Sequence, residues 1–268
     1  MPLKVALIQM DVEQSAPRAN LEKATKYITQ ASESNCDMVC LPEMWTTGFN
    51  WKKNQTLAAQ QDFVLEELAS LARRNHIWIN GSMPLPGTNG SVRNTSVLFN
   101  DQGEQAARYS KTHLFSLMHE EQHVQAGDSL TVVDTPWGRL GLTICYDIRF
   151  PELFRTYALK GVEFILCPIA FPHPRLEHWK VLVRARAIEN QLFMIGVNQV
   201  GSENFGPDGT VTYFGHSCVI SPWGETLAEA DDKAQTLLTA TLDIDEVRRI
   251  RARMTVLQDR RPDLYQTI

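Results

Sequence analysis

The chain has 268 residues, 43% of them hydrophobic, with 26 Lys and Arg against 31 Asp and Glu for a formal charge of −5. That balance, without a Lys/Arg-rich run, excludes a general nucleic-acid binder, and no apolar stretch approaches the roughly 18 residues a membrane helix needs. Five cysteines form an odd count with no C-x-x-C, which predicts reduced thiols in a cytoplasmic protein.

In chain order, the first apolar run reads as a strand over residues 5–9, too short and wrongly flanked for a signal peptide. Residues 16–34 follow with apolar side chains at Leu21, Ala24, Ile28 and Ala31, a helical spacing. A strand is predicted at 38–41, a helix at 62–75 and a strand at 77–81. Gly, Pro and Asn over 84–94 predict turns. Strands are predicted at 96–99, 130–133 and 140–145, and Pro151 marks the first turn of a helix. A strand at 164–167, a helix at 176–191 and a strand at 193–198 come next. Residues 201–210 read as a loop. Strands at 218–221 and 236–242 follow, the first ending in a Ser221-Pro-Trp-Gly224 turn. A basic helix-like piece at 247–253 leads into a polar tail. Strands alternating with helices and then hairpins predict an α/β fold with mixed sheets. With no break in composition, one domain over 1–268 is expected, its tail from 245 suited to a subunit contact.

Three residues carry the chemistry. Cys145 closes an apolar run at the mouth of a helix, where converging N–H groups favour a thiolate and can hold an oxyanion. Glu43 follows an apolar strand and a proline, a poorly solvated place that makes a carboxylate a usable base. Lys111 follows a strand-like run and can stabilise developing negative charge. Each alone has a plainer reading: a core thiol, a strand-end glutamate facing water, a surface lysine.

Together they resemble the nitrilase superfamily of carbon–nitrogen hydrolases. The resemblance covers essentially the whole chain and is carried by Leu41-Pro-Glu43, Lys111-Thr-His-Leu-Phe115, Ile144-Cys-Tyr-Asp-Ile-Arg-Phe-Pro-Glu152, His178-Trp179 with Arg184–Gln191, and Gly215-His-Ser217. It implies a four-layer α-β-β-α sandwich, a homodimer, and neither metal nor cofactor. Cys145 is then the nucleophile, Glu43 the general base and Lys111 the oxyanion-stabilising cation. A second glutamate maps to Glu120, with Glu121 the adjacent alternative. The backbone N–H of Tyr146 completes the oxyanion site.

Met44-Trp-Thr-Thr-Gly-Phe49, His113–Glu121, Pro172-His-Pro-Arg-Leu-Glu-His-Trp179 and Arg261-Pro-Asp-Leu-Tyr265 resemble the ω-amidase branch. That branch removes the terminal amide of 2-oxoglutaramate or 2-oxosuccinamate, and deaminated glutathione or another small amide or carbamoyl compound is the alternative substrate. A distal carboxylate calls for a guanidinium, and Arg175 is the candidate. Phe171 stands where a tryptophan is common and forms a pocket wall. Asp147 and Arg149 are expected to brace the turn beside the nucleophile.

Two other readings compete. His119-Glu-Glu-Gln-His123 is a literal H-E-x-x-H, which on a helix would present two histidines to zinc with Glu120 as base. Gly127 follows too soon for a long metal-binding helix. A catalytically silent scaffold is the third class, and the intact Glu43, Lys111 and Cys145 argue against it.

Overall fold

The computed structural model describes residues 2–206 and 209–265. Its first sheet contains β1 (Leu3–Gln9), β2 (Met38–Cys40), β3 (Trp78–Pro86), β4 (Val92–Phe99), β5 (Gln105–Ser110) and a late strand, β14 (Thr236–Leu242), in the order β14-β1-β2-β3-β4-β5. The second contains β6 (Val132–Asp134), β7 (Arg139–Leu142), β8 (Phe164–Pro168), β9 (Phe193–Val197), β12 (Cys218–Ile220) and β13 (Thr226–Glu229), in the order β13-β12-β9-β8-β7-β6. A ribbon of β10 (Ser202–Asn204) and β11 (Thr210–Thr212) stands apart. Each sheet has three parallel strands, β1-β2-β3 and β7-β8-β9, flanked by antiparallel ones.

Strand alternation builds the layers. From β1, Ala6 and Ile8 face a core with Ala24 and Ile28 of α1 (Pro17–Glu33) and Val64 and Leu68 of α3 (Asp62–Asn75). Val5 and Leu7 face the other way, into a core shared with the second sheet, including Leu140, Leu142 and Phe164. That core continues to Phe154 of α4 (Pro151–Leu159) and Trp179 and Val183 of α5 (Leu176–Asn190). The result is helices, sheet, sheet, helices, the expected four-layer sandwich. A side chain at Gly196 of β9 would strike the Trp179 ring, so a glycine lets α5 lie close on the sheet.

Several elements differ from expectation. β3 and β4 run through most of the segment predicted as turns, leaving residues 87–91 as the connection. Beyond Asn80, β3 no longer pairs with β2, so Pro84 and Pro86 sit on a free flank that needs no N–H donor. α2 (Trp51–Ala58) escaped notice because it buries only Asn54 and Ala58; its start is capped by Asn50, whose side chain accepts from the Lys53 N–H. The stretch read as a loop over 201–210 holds the β10 strand. The tail begins with α6 (Asp245–Arg253), which docks on its own chain through buried Val247 and a hydrogen bond from Arg251 Nη2 to the Val162 carbonyl.

Candidate active site

β2 and β8 are parallel to both neighbours, β7 is parallel to β8, and β5 runs in the same sense as β3 because both are antiparallel to β4. Segments beyond the carboxyl ends of these strands converge, the usual place for a site in a parallel sheet system. Glu43 lies beyond β2, Lys111 directly after β5, Cys145 beyond β7, and Ala170 and Phe171 beyond β8. All of them line one pocket with Phe115, Glu120, Tyr146, Arg149, Arg175 and Tyr213.

The polar centre is nearly dry. Glu43, Lys111 and Glu120 are each no more than 2% exposed. Lys111 Nζ donates to Glu43 Oε1 at 2.9 Å and to Glu120 Oε2 and Oε1 at 2.8 and 3.0 Å. Glu120 Oε2 also accepts from the Phe115 N–H at 2.7 Å, so the loop that carries Glu120 is tied to the segment after Lys111. Glu121 is exposed, so between the two adjacent glutamates it is Glu120 that faces the lysine.

Charges set the protonation states. Burial pushes the Glu43 carboxyl above its usual range and Glu120's charge adds to this, while Lys111 and the hydrogen bond with Cys145 oppose it. For Lys111 burial favours the neutral amine, but Glu120 and Glu43 together overcome it and hold the ammonium well above its ordinary value. Burial and Glu43's charge raise the Cys145 thiol well above its ordinary value, against Lys111 and the Ala170 N–H. Burial thus works against the backbone donors that favour a thiolate, and the thiol depends on a base to take its proton.

Cys145 is also not the last residue of its strand. β7 ends at Leu142, and Cys145 begins a short 3₁₀ turn over Cys145–Arg149 with φ of 44°, in the left-handed region. Such a conformation is uncommon for a residue with a side chain and is tolerated where the surroundings fix it. Asp147, fully buried, fixes this one. Its carboxylate accepts from the Ile144 N–H at 2.8 Å, the Tyr109 hydroxyl at 2.7 Å and Thr112 Oγ1 at 3.1 Å, binding the nucleophile's turn to the Lys111 segment. The Tyr146 N–H belongs to the first turn of that 3₁₀ stretch, where backbone donors lack helical partners.

Arg149 departs from its expected bracing role. Among the described residues it has no acidic partner; its guanidinium lies 5.4 Å above the Phe171 ring, on the pocket wall. Arg175 is half-buried with its guanidinium 5.5 Å above Phe115. Phe171 is a buried wall, its N–H donating to Asn198 Oδ1. The H-E-x-x-H segment does not form a helix: His119 adopts φ of 52° between two short 3₁₀ turns, and His123 stacks on Trp51. Glu120 is already spent on Lys111, so the zinc reading has lost its base and its shared helical face.

The sequence reading missed three further residues. Tyr213 lines the pocket and donates its hydroxyl to buried Glu203 at 2.8 Å. Glu203 sits in the unpredicted ribbon and also accepts from the Phe49 N–H and Gln14. Asn94, on β4, donates to Glu43 Oε1 at 2.8 Å; a polar residue on an otherwise buried strand face was its signal.

A stability test follows from the Glu43–Lys111 pair. Glu43→Gln takes away one of the two carboxylates that keep the buried Lys111 ammonium charged. It should cost about 10²–10⁴-fold in kcat/KM and lower the melting temperature at pH 7.5 by at least about 2–4 °C, the effect of one kcal/mol in a domain near this size. Scanning calorimetry reads it, and a variant as stable as wild type or more stable would contradict the dependence of Lys111 on Glu43.

Comparison with known proteins places this site in context. A family model described as carbon-nitrogen hydrolase matches residues 4–252. The chain is 34% identical to a 2-oxoglutaramate amidase of Bacillus subtilis (strain 168) over 99% of its own length and 100% of the relative's. It is 35% identical to a deaminated glutathione amidase of Yersinia enterocolitica, covering 96% of this chain and 92% of that one. An amidase from Nesterenkonia sp. AN1, solved as a mutant with acrylamide added at its active-site cysteine, superposes with a TM-score of 0.87 at 27% identity, over 98% of both chains.

Proposed function

The chain belongs to the carbon–nitrogen hydrolase family, and from that premise we propose that it is a thiol-dependent amidase releasing ammonia from a small ω-amide such as 2-oxoglutaramate. The observation that carries this reading is one buried ammonium held between two carboxylates, in a pocket that also contains a cysteine and two guanidiniums without acidic partners among the described residues.

Glu43 takes the Cys145 thiol proton as sulfur attacks the amide carbonyl. The oxyanion that forms is met by Lys111 and the Tyr146 N–H. The proton then passes from Glu43 to the leaving nitrogen, the C–N bond breaks and ammonia departs, leaving a thioester. Glu43 next takes a proton from water, whose oxygen attacks the thioester. The C–S bond breaks, the thiol recovers its proton and the free acid leaves. Because the resting thiol is protonated, the base cannot be dispensed with. Glu120 orients Lys111, and the cation needs both carboxylates to remain charged in so dry a place.

Arg175 is the proposed anchor for the distal carboxylate, with Phe171 as the wall beside it. Arg175→Met should raise KM for 2-oxoglutaramate about 10- to 100-fold, since a charge-assisted bond contributes about 1.5–3 kcal/mol. Turnover of a neutral amide such as propionamide should change little. Equal losses on both substrates would remove Arg175 from recognition.

We also propose one catalytic domain across the chain, acting as a homodimer in a reducing cytoplasm, where Cys145 stays a thiol. Val181 and Ile188 of α5 are 64% and 49% exposed and Trp223 in the nearby turn is 54% exposed, an apolar face suited to a second copy. The tail beyond α6 has exposed polar residues that can extend that contact. Its last three residues lie outside those described.

A further inference from the structure

We propose that Asn94 is a positioning residue for the general base: together with Lys111 it occupies Glu43 Oε1, and so assigns Oε2 to the thiol proton. This inference rests on the amidase reading of the same site. Asn94 is 1% exposed, at the point of β4 opposite Pro84. Its side-chain Nδ2 donates to Glu43 Oε1 at 2.8 Å, beside Lys111 Nζ at 2.9 Å on the same oxygen. No nitrogen or hydroxyl donor among the described residues reaches Oε2. A carboxylate pinned through one oxygen by two donors cannot rotate, and its second oxygen is the basic one that faces reaction.

The same residue places the cation. The Asn94 carbonyl accepts the Lys111 N–H at 2.9 Å. Main chain and side chain of one strand residue therefore set the relative positions of Glu43 and Lys111. The other half of the amide says why asparagine is there. Asn94 Oδ1 is buried with no partner among the described residues. A buried carbonyl oxygen without a partner is a cost that an apolar residue on this strand would avoid. Turning the amide over would set that oxygen against the carboxylate, so the orientation is fixed by electrostatics. What the residue gains for the molecule is the one donor aimed at Glu43.

A donor on the carboxylate favours its ionised form, so losing it moves the base's titration to higher pH. The groups that face Glu43 are Lys111, Glu120 and Cys145, with Tyr213 and Cys167 further off and neutral in the working range. None of them is altered by changing Asn94.

Asn94→Leu keeps the volume and removes the donor. Asn94→Asp keeps the shape and replaces the donor with a second carboxyl. The rate at which iodoacetamide alkylates Cys145, followed by intact mass from pH 4 to 9, needs no substrate and reports the base directly. The Leu variant should shift the acid limb upward by about one pH unit, the size expected for a lost bond to a charged group. The Asp variant should shift it further, because two adjacent carboxyls resist ionising together. For amide cleavage, kcat should fall about 10- to 100-fold in the Leu variant and more in the Asp variant, with KM nearly unchanged. If Asn94 only fills space, the isosteric Asp variant will stay closest to wild type and neither limb will move; that result overturns the proposal. Should the Leu variant fail to fold by circular dichroism, Asn94→Ala carries the same expectation. A shifted alkylation limb in an enzyme that cleaves no amide would retain Asn94's role while refuting the amidase reading.

Discussion

Lys111→Met will lower kcat/KM by at least about 10³-fold, the scale of losing an oxyanion donor, and will also melt far earlier than wild type. Lys111 is the only ammonium bonded to Glu43 and Glu120 among the described residues, and both carboxylates are nearly inaccessible to water. Breaking a buried ion pair from one side leaves an uncompensated charge, which costs about 3–5 kcal/mol; here one lysine serves two acids. At about 2–4 °C per kcal/mol the melting temperature should drop by roughly 10 °C at pH 7.5. The pH dependence fixes the cause. Without the cation the Glu43 carboxyl loses the charge that opposes its burial, so it titrates still higher in the fold and contributes instability that grows as pH rises from its unfolded toward its folded value. The deficit should therefore narrow toward pH 5. Differential scanning fluorimetry across that range measures it, and a deficit independent of pH would point to lost packing by the lysine stem instead. Lys111→Arg should recover part of the stability but little of the rate, since a planar fork cannot take the place of a compact ammonium touching three oxygens.

Cys145→Ala will remove turnover while leaving the fold intact. Among the described residues no second thiol lines the pocket: the other four cysteines are buried away from its lining. The loss should be at least about 10⁴-fold, because the remaining groups act as a unit with the missing sulfur. The melting temperature should stay within about 2 °C, since only one sulfur atom is deleted and the left-handed turn is held by Asp147 rather than by the thiol. Lys111, Tyr146 and Arg175 remain in place, so the variant should still bind 2-oxoglutaramate by titration calorimetry. Cys145→Ser should be nearly as inactive, because a buried hydroxyl beside Glu43 is far harder to deprotonate than a thiol. Activity surviving in either variant would end the thioester mechanism.

Those two variants probe the part of the site most legible in the sequence. Glu43 and Cys145 each follow a short apolar run and Lys111 a strand-like one, and in a sheet system such runs bring distant residues to one edge. The sandwich could be read the same way: α1 and α3 show their buried stripe as a 3.6-residue period, and β1 alternates between two cores. What escaped reading depended on pairing. Whether Pro84 can sit in a strand is decided by where β2 stops, a fact of register rather than of composition. Glu203 is a carboxylate in a Gly/Asn-rich stretch and looks like a solvated loop residue until Tyr213, Phe49 and Gln14 supply its donors. Asn94 required knowing that β4 faces Glu43. At Cys145 the backbone dipoles legible in the sequence favour a thiolate, but burial and a neighbouring carboxylate act on the same sulfur in the opposite direction, so the thiol relies on Glu43 to remove its proton. Of the two residues expected to brace the turn, Asp147 turns inward to Ile144 and Tyr109, whereas Arg149 has its guanidinium on the pocket wall.

The most direct test of the central claim is a side-by-side assay of wild type and Cys145→Ala for ammonia or amine released from five compounds: 2-oxoglutaramate, deaminated glutathione, glutaramate, a carbamoyl amine and an aliphatic nitrile. The account predicts that wild type cleaves 2-oxoglutaramate with the highest kcat/KM and that Cys145→Ala releases nothing above background. Release that persists without Cys145, or a wild-type enzyme that leaves every amide intact, would contradict it; preference for deaminated glutathione would keep the thiol chemistry and discard the proposed substrate.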